Sequence, residues 1–135
     1  MSAVTEPGII AAVRARLTAA DVDGYELDDL DLLRKDSDGA LPDEYVELHL
    51  AFEANGEATL DGTSDLDGYV LAVRSCARTI GNVQVYRRRV RDALYGRALT
   101  VEGETSTPPQ RNPGDMAEQD DDGYFAALDE FTFTF

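Results

Sequence analysis

Around Thr79 the spacing of apolar side chains switches from two residues to three or four, and this switch restricts the fold more than any other feature. Tyr69, Leu71, Val73 and Ser75 occupy alternate positions up to about Ala77, the pattern of a strand with one buried face. Immediately afterwards Ile80, Val83, Tyr86, Val90, Ala93 and Leu94 recur at helical spacing. Thr79 is suited to cap this helix, which the pattern carries to about Tyr95 and stops near Gly96. A strand and a helix that each bury one face point to helices layered on a sheet.

Further segments obey the same two periods. A first helix is expected from about Glu6 to Ala19. Pro7 is tolerated in its first turn, Glu6 complements its start, and Ile9, Ile10, Val13 and Leu17 form an apolar stripe. Arg14 and Arg16 point away from that stripe, toward solvent or a partner. After Pro42, the residues Val46, Leu48, Leu50 and Phe52 alternate with Tyr45, Glu47, His49, Ala51 and Glu53, and Asn55-Gly56 signals a turn. Phe131, Phe133 and Phe135 share one face of a final strand, with Thr132 and Thr134 on the other. An aromatic last residue places Phe135 in a sheet or an intersubunit seam.

Three stretches carry weaker signals. The acid-rich run from Asp21 to Asp38 contains Tyr25, Leu27, Leu30, Leu32 and Leu33. It is compatible with a short strand around Asp31 to Arg34, closed by a turn over Asp36, Ser37, Asp38 and Gly39. Leu99 to Glu102 hints at another strand. From Glu104 to Gly123, the prolines at 108, 109 and 113, Gly114 and a dearth of apolar residues predict a long loop, mobile or engaged at an interface. The expected fold class is α+β: one domain spanning residues 1–135, with a mostly antiparallel sheet packed against two amphipathic helices.

A length of 135 residues suits one core, and such a chain needs no metal or disulfide framework. The single cysteine, Cys76, excludes an intrachain disulfide and a multi-thiolate metal site. No apolar run is long enough to cross a bilayer, and the residues after Met1 lack the features of a secretory signal, so the chain reads as soluble, unprocessed and without a membrane partner. Acidic side chains outnumber basic ones 27 to 12, for a formal charge of −15, and Lys35 is the sole lysine. Such a field repels phosphates and disfavours direct nucleic-acid binding. It suits a salt-adapted or GC-rich host, or serves solubility alone.

Few residues of the sequence offer chemistry. His49 is the only histidine, on the outward face of its strand with no nucleophile beside it, and reads as a surface or interface residue. Arg74 and Arg78 could lower the pKa of Cys76, but without a nearby histidine or resolving cysteine the residue reads as a small half-buried side chain. The carboxylate runs from Asp28 to Asp31 and from Asp120 to Asp122 lack the spacing of a calcium loop and read as solvated acidic faces. No phosphate-binding glycine loop or serine elbow occurs. No cofactor, no metal and no enzymatic activity are expected. Against this acidic background stand Arg87, Arg88, Arg89 and Arg91. Arg88 and Arg91 lie opposite the apolar stripe of their helix, and Arg87 and Arg89 flank it. Two readings are open: a basic patch that meets the acidic patch of a neighbouring copy, or a solvated helix face with local pairs such as Arg88 with Asp92.

Several of these elements, taken together, resemble the tail terminator proteins of long-tailed, siphovirus-like viruses of bacteria or archaea. The residues that carry the likeness are the opening helix (Ile9, Ile10, Val13, Leu17), the strand led by Leu41-Pro42-Asp43-Glu44-Tyr45, and the segment Leu71 to Arg78 running into Ile80 to Leu94. The Arg-Asp-Ala-Leu-Tyr-Gly close of that helix and the aromatic C-terminal strand complete it. The resemblance implies a homohexameric ring in the virion, at the junction of tail and head, assembled in the host cytoplasm. Such a ring halts tail tube polymerisation and contacts the tail tube protein below and a stopper or connector protein above. It also implies a lumen through which DNA passes without specific binding, for which Asp28, Asp29, Asp31, Asp120, Asp121 and Asp122 are the candidate lining acids. Arg87, Arg88, Arg89, Arg91, Phe131, Phe133 and Phe135 are the candidate subunit or partner interface. Other neck ring proteins, stoppers and head-tail adaptors, are similar in size. A small acidic monomeric binding module of a salt-adapted cell is the alternative of a different class.

Overall fold

A computed structural model describes residues 4–36, 41–55, 67–117 and 119–135. In chain order the elements are α1 (Glu6–Ala19), β1 (Gly24–Glu26), α2 (Leu27–Asp36), β2 (Glu44–Asn55), β3 (Asp67–Ala77), α3 (Ile80–Leu94), β4 (Thr100–Val101), β5 (Glu104–Thr105), β6 (Gln110–Ala117) and β7 (Phe125–Thr134). Five strands form one sheet in the order β1-β2-β3-β7-β6, in which only the β1-β2 pair is parallel; β4 and β5 form a separate small hairpin. The fold is α+β, with a mostly antiparallel sheet.

The strongest periodic signals become the framework. Helix α1 spans the expected residues and buries Ile9, Ile10, Val13 and Leu17. Its N-cap is Thr5, whose hydroxyl accepts from the Gly8 amide at 3.1 Å. Helix α3 buries Val83, Tyr86, Val90 and Leu94, and the Thr79 hydroxyl accepts from the Asn82 amide at 3.2 Å. Both helices lie on one face of the sheet, where Val46, Leu48, Tyr69, Leu71, Val73, Phe131, Phe133 and Phe135 meet them in a single core. Two positions on the expected stripes turn outward, Ile80 at 50% exposure and Phe52 at 48%.

On the other face a smaller cluster gathers Leu30, Tyr45, Cys76, Tyr124 and Ala126. Tyr45 and Tyr124 meet edge to face at 5.4 Å, and the Arg78 guanidinium stacks 4.0 Å above the Tyr124 ring. The Tyr124 hydroxyl donates to the Pro42 carbonyl at 2.7 Å, with the Leu41 carbonyl at 3.1 Å. Leu30 comes from α2, so this third helix covers part of the face opposite α1 and α3.

Two expectations need correction. The stretch around Asp31 to Arg34 is helical and belongs to α2; the strand in this region is the three-residue β1. Asp28 and Asp29 occupy the first turn of α2, where carboxylates are favoured by the helix dipole. The run from Glu104 to Gly123 is not a featureless loop, because it contains β5 and the eight-residue β6. Among the described residues strand β6 pairs only with β7 and lies at the sheet edge, where a strand can be polar and can tolerate Pro113. Its register shifts between Pro113 and Met116. Gly114 sits there because a Cβ would lie 2.3 Å from the Leu128 carbonyl oxygen. Asp36 is the last residue of α2 and Asn55 the last of β2; the remainder of the turns expected over residues 36–39 and at Asn55-Gly56 lies outside the described residues.

Candidate assembly surfaces

The four clustered arginines of α3 diverge. Arg87 turns under the helix to Asp129, which β7 places on its inward face between Ala127 and Phe131. Asp129 is 1% exposed and accepts from Arg87 Nε at 3.2 Å, Arg87 Nη2 at 3.0 Å and Arg111 Nη2 at 3.1 Å. Arg87 Nη2 also reaches the Gly114 carbonyl at 3.0 Å, so one guanidinium joins α3, β7 and the edge strand β6. Hydrogen bonding to Asp129 raises the Arg87 pKa further, outweighing the cost of burial. Arg87 is therefore a structural clamp within one chain.

Arg89 leans the other way, donating to the Asp21 carbonyl at 3.2 Å with its guanidinium 5.6 Å from the Tyr86 ring. Arg91 pairs with the adjacent Asp92 at 3.1 Å, in place of the Arg88–Asp92 pair that helical spacing allowed. Arg88 is exposed and makes no ion pair with the described residues. Two basic depressions result. One, of about 150 Å³, lies between α3 and β6 and is lined by Gln84, Arg87, Arg88, Arg91 and Arg111. The other, of about 510 Å³, lies between α1 and α3 and is lined by Arg16, Ala19, Ala20, Arg89, Asp92, Ala93 and Arg97. Arg16 donates to the carbonyls of Arg97 and Ala98, which ties the end of α1 to the chain beyond α3.

The acidic segments gather elsewhere. Asp28 and Asp31 are exposed on α2, while the half-buried Asp29 accepts from the Glu26 amide at 3.2 Å and from Arg14 at 3.3 Å. The Asp120–Asp122 segment forms a turn fixed by its own backbone. Asp120 Oδ1 accepts from the amides of Asp122 and Tyr124 at 3.0 and 2.9 Å, and Arg78 donates to the Asp122 carbonyl. Both segments border the Leu30–Tyr124 cluster, on the far side of the sheet from α3. Among the described residues, arginines thus concentrate around α3 and the end of α1, and these acids lie around the opposite face.

The aromatic interface assignment is corrected. Phe131, Phe133 and Phe135 are 0%, 3% and 7% exposed within a single chain and stack around Tyr69 in its own core. Their surface is consumed before any partner arrives. Phe135 is held by paired backbone hydrogen bonds to Asp67 at 2.9 and 3.0 Å.

His49 lies exposed on the outward face of β2. Cys76 is fully buried; burial pushes its thiol pKa up, outweighing the lowering effect of Arg74. Among the described residues no three His, Cys, Asp or Glu side chains converge on a metal-sized site.

Sequence reasoning missed Asp129, Arg111 and Arg97, and did not place Arg16 beside Arg97 in one groove. One signal for Asp129 was present. It occupies an inward position of the alternation that runs through Phe131 and Phe133, and a carboxylate there demands a cationic partner.

No protein-family model matches the chain, and no curated protein matches it. Among solved structures, the fold matches a chain of the virion of a native gene transfer agent particle with a TM-score of 0.65 at 17% sequence identity, covering 98% of this chain and 97% of that one. A second solved chain matches with a TM-score of 0.59 at 14% identity, covering 97% of this chain and 95% of that one. The likeness runs end to end in both and is a likeness of fold.

Proposed function

We propose that the protein is a non-enzymatic virion structural subunit that assembles into a ring, ends tail tube polymerisation and joins the tail to the head connector. The observation that supports the reading most is the end-to-end match, at a TM-score of 0.65, to a chain of a gene transfer agent virion. The tail terminator resemblance in the sequence supplies the finer role, and the polar charge distribution suits subunits that associate head to tail. In this reading the ring is a hexamer at the head-tail interface, its partners are the tail tube protein and a stopper or connector protein, and the exposed acids of α2, Asp28 and Asp31, face the DNA that passes through the lumen without adhering.

The test is native mass by light scattering across a concentration series in low salt and in molar KCl, with negative-stain images and a capping assay on purified tail tubes. Six-subunit rings seated at tube ends are the expected result. Rings that bind the connector but leave tubes free to elongate would assign the protein to another neck position. A monomer that neither caps nor is recruited by tubes would refute the virion reading and favour a monomeric acidic binding module.

A further inference from the structure

We propose that the groove between α1 and α3 receives the Asp120–Gly123 turn of a second copy of this chain. The inference rests on the reading of the protein as self-assembling, and names the contact that reading leaves open. The floor of the groove is Ala19, Ala20 and Ala93, small side chains that leave about 510 Å³ between the helices, and its rim carries Arg16, Arg89 and Arg97. Asp92 also borders it, but its carboxylate is taken by Arg91. The guanidinium of Arg97 has no ion pair or hydrogen bond with the described residues, so the rim holds an unspent positive charge.

The turn has the complementary properties. Asp120 uses a carboxylate oxygen to accept two backbone amides, and the Gly123 amide closes on the Asp120 carbonyl at 3.0 Å. That network fixes the loop in advance and lowers the ordering cost of binding. Asp121 and Asp122 are exposed, and their carboxylates pair with none of the described residues. A second copy is the occupant that charge selects. Every copy carries both surfaces, and with a net charge of −15 most other juxtapositions of two copies repel. Because groove and turn are different patches, the contact is heterologous and each subunit can engage one neighbour on each side.

Two charge reversals at exposed positions test it, Arg97→Glu and Asp121→Arg, with thermal melting curves as the control for folding. Each variant alone places like charges across the contact and is expected to weaken self-association about tenfold or more, read by light scattering and sedimentation. Mixed one to one, the two variants restore assembly. Every contact in an alternating ring is then either native or doubly reversed, and the resulting oligomers contain equal numbers of each variant. If both variants assemble like the wild type, the contact is wrong while the ring reading stands. If each fails alone and the mixture also fails, with melting curves unchanged, the two residues do not face one another and the proposal is overturned. A wild type that stays monomeric in every condition overturns the contact together with self-assembly; recruitment to tail tubes would still separate that result from failure of the virion role.

Discussion

Replacing Asp129 with alanine should be among the most damaging single changes outside the apolar core. The carboxylate is 1% exposed and accepts three N–H groups from Arg87 and Arg111, whose side chains are 13% and 21% exposed. Removing one partner of a buried ion pair costs roughly 3 to 5 kcal/mol, because the remaining charge is stranded. Both guanidinium groups here keep some access to water, and solvent screening brings the expectation down to about 3 kcal/mol. With a urea m-value of roughly 1.5 kcal/mol per M, that is a fall of about 2 M in the unfolding midpoint. The loss should be local before it is global. Gly114 and Arg111 tie β6 to the clamp, so amide exchange in β6 should accelerate more than in β2 or β3. Asp129→Asn, which keeps an acceptor and loses the charge, should fall between. The triple change Arg87→Met, Arg111→Met, Asp129→Leu should recover most of the stability, since an apolar replacement of a buried ionic group is often neutral. A midpoint for Asp129→Ala within about 0.5 M of the wild type would refute the clamp as a stabilising element.

Gly114→Ala should destabilise by roughly 1 to 3 kcal/mol through backbone displacement, because the new methyl meets the Leu128 carbonyl oxygen at 2.3 Å. Urea unfolding gives the loss, and amide exchange of β6 locates it. Stability should also decline in alkali. Burial raises the pKa of Tyr45 and of Cys76, so the unfolded chain surrenders those protons first as pH rises past 10.0 and 9.0. Their contribution is complete below those values and is lost as pH climbs toward the folded-state ones, at up to about 1.4 kcal/mol per pH unit for each group, measurable by urea unfolding at pH 8 and pH 10.5.

The parts of the fold that could be read from sequence are those in which one residue period persists. Helices α1 and α3 and strands β2, β3 and β7 each hold a stripe long enough to fix element type and buried face. Helix α2 escaped because its leucines sit among consecutive acids that suggest a solvated strand, whereas in the fold those acids complement a helix N-terminus. Strand β6 escaped because an edge strand need not bury side chains; its pairing with β7 is backbone chemistry that leaves no hydrophobic pattern. The arginine cluster was visible, but not its division of labour. Arg87 differs from Arg88 only in the side of the helix it occupies relative to Asp129, forty-two residues away along the chain. The aromatic face of β7 is legible as a buried face, but not that Tyr69 and the helix layer of the same chain enclose it.

The strand order also sets a sequence of events. Strand β7 follows all the other strands along the chain, yet it sits inside the sheet between β3 and β6. Until it inserts, β6 has no partner, the β3 edge stands open, and the Asp129 carboxylate that organises two arginines is missing. A chain interrupted before Phe125 can pair β1, β2 and β3 and form the β4–β5 hairpin, but leaves β6 without its neighbour in the sheet. Completion is therefore one late, long-range step, of the kind that slows folding and leaves the preceding intermediate exposed to proteolysis. A chain truncated before β7 therefore lacks the strand that closes its core and stays open to degradation.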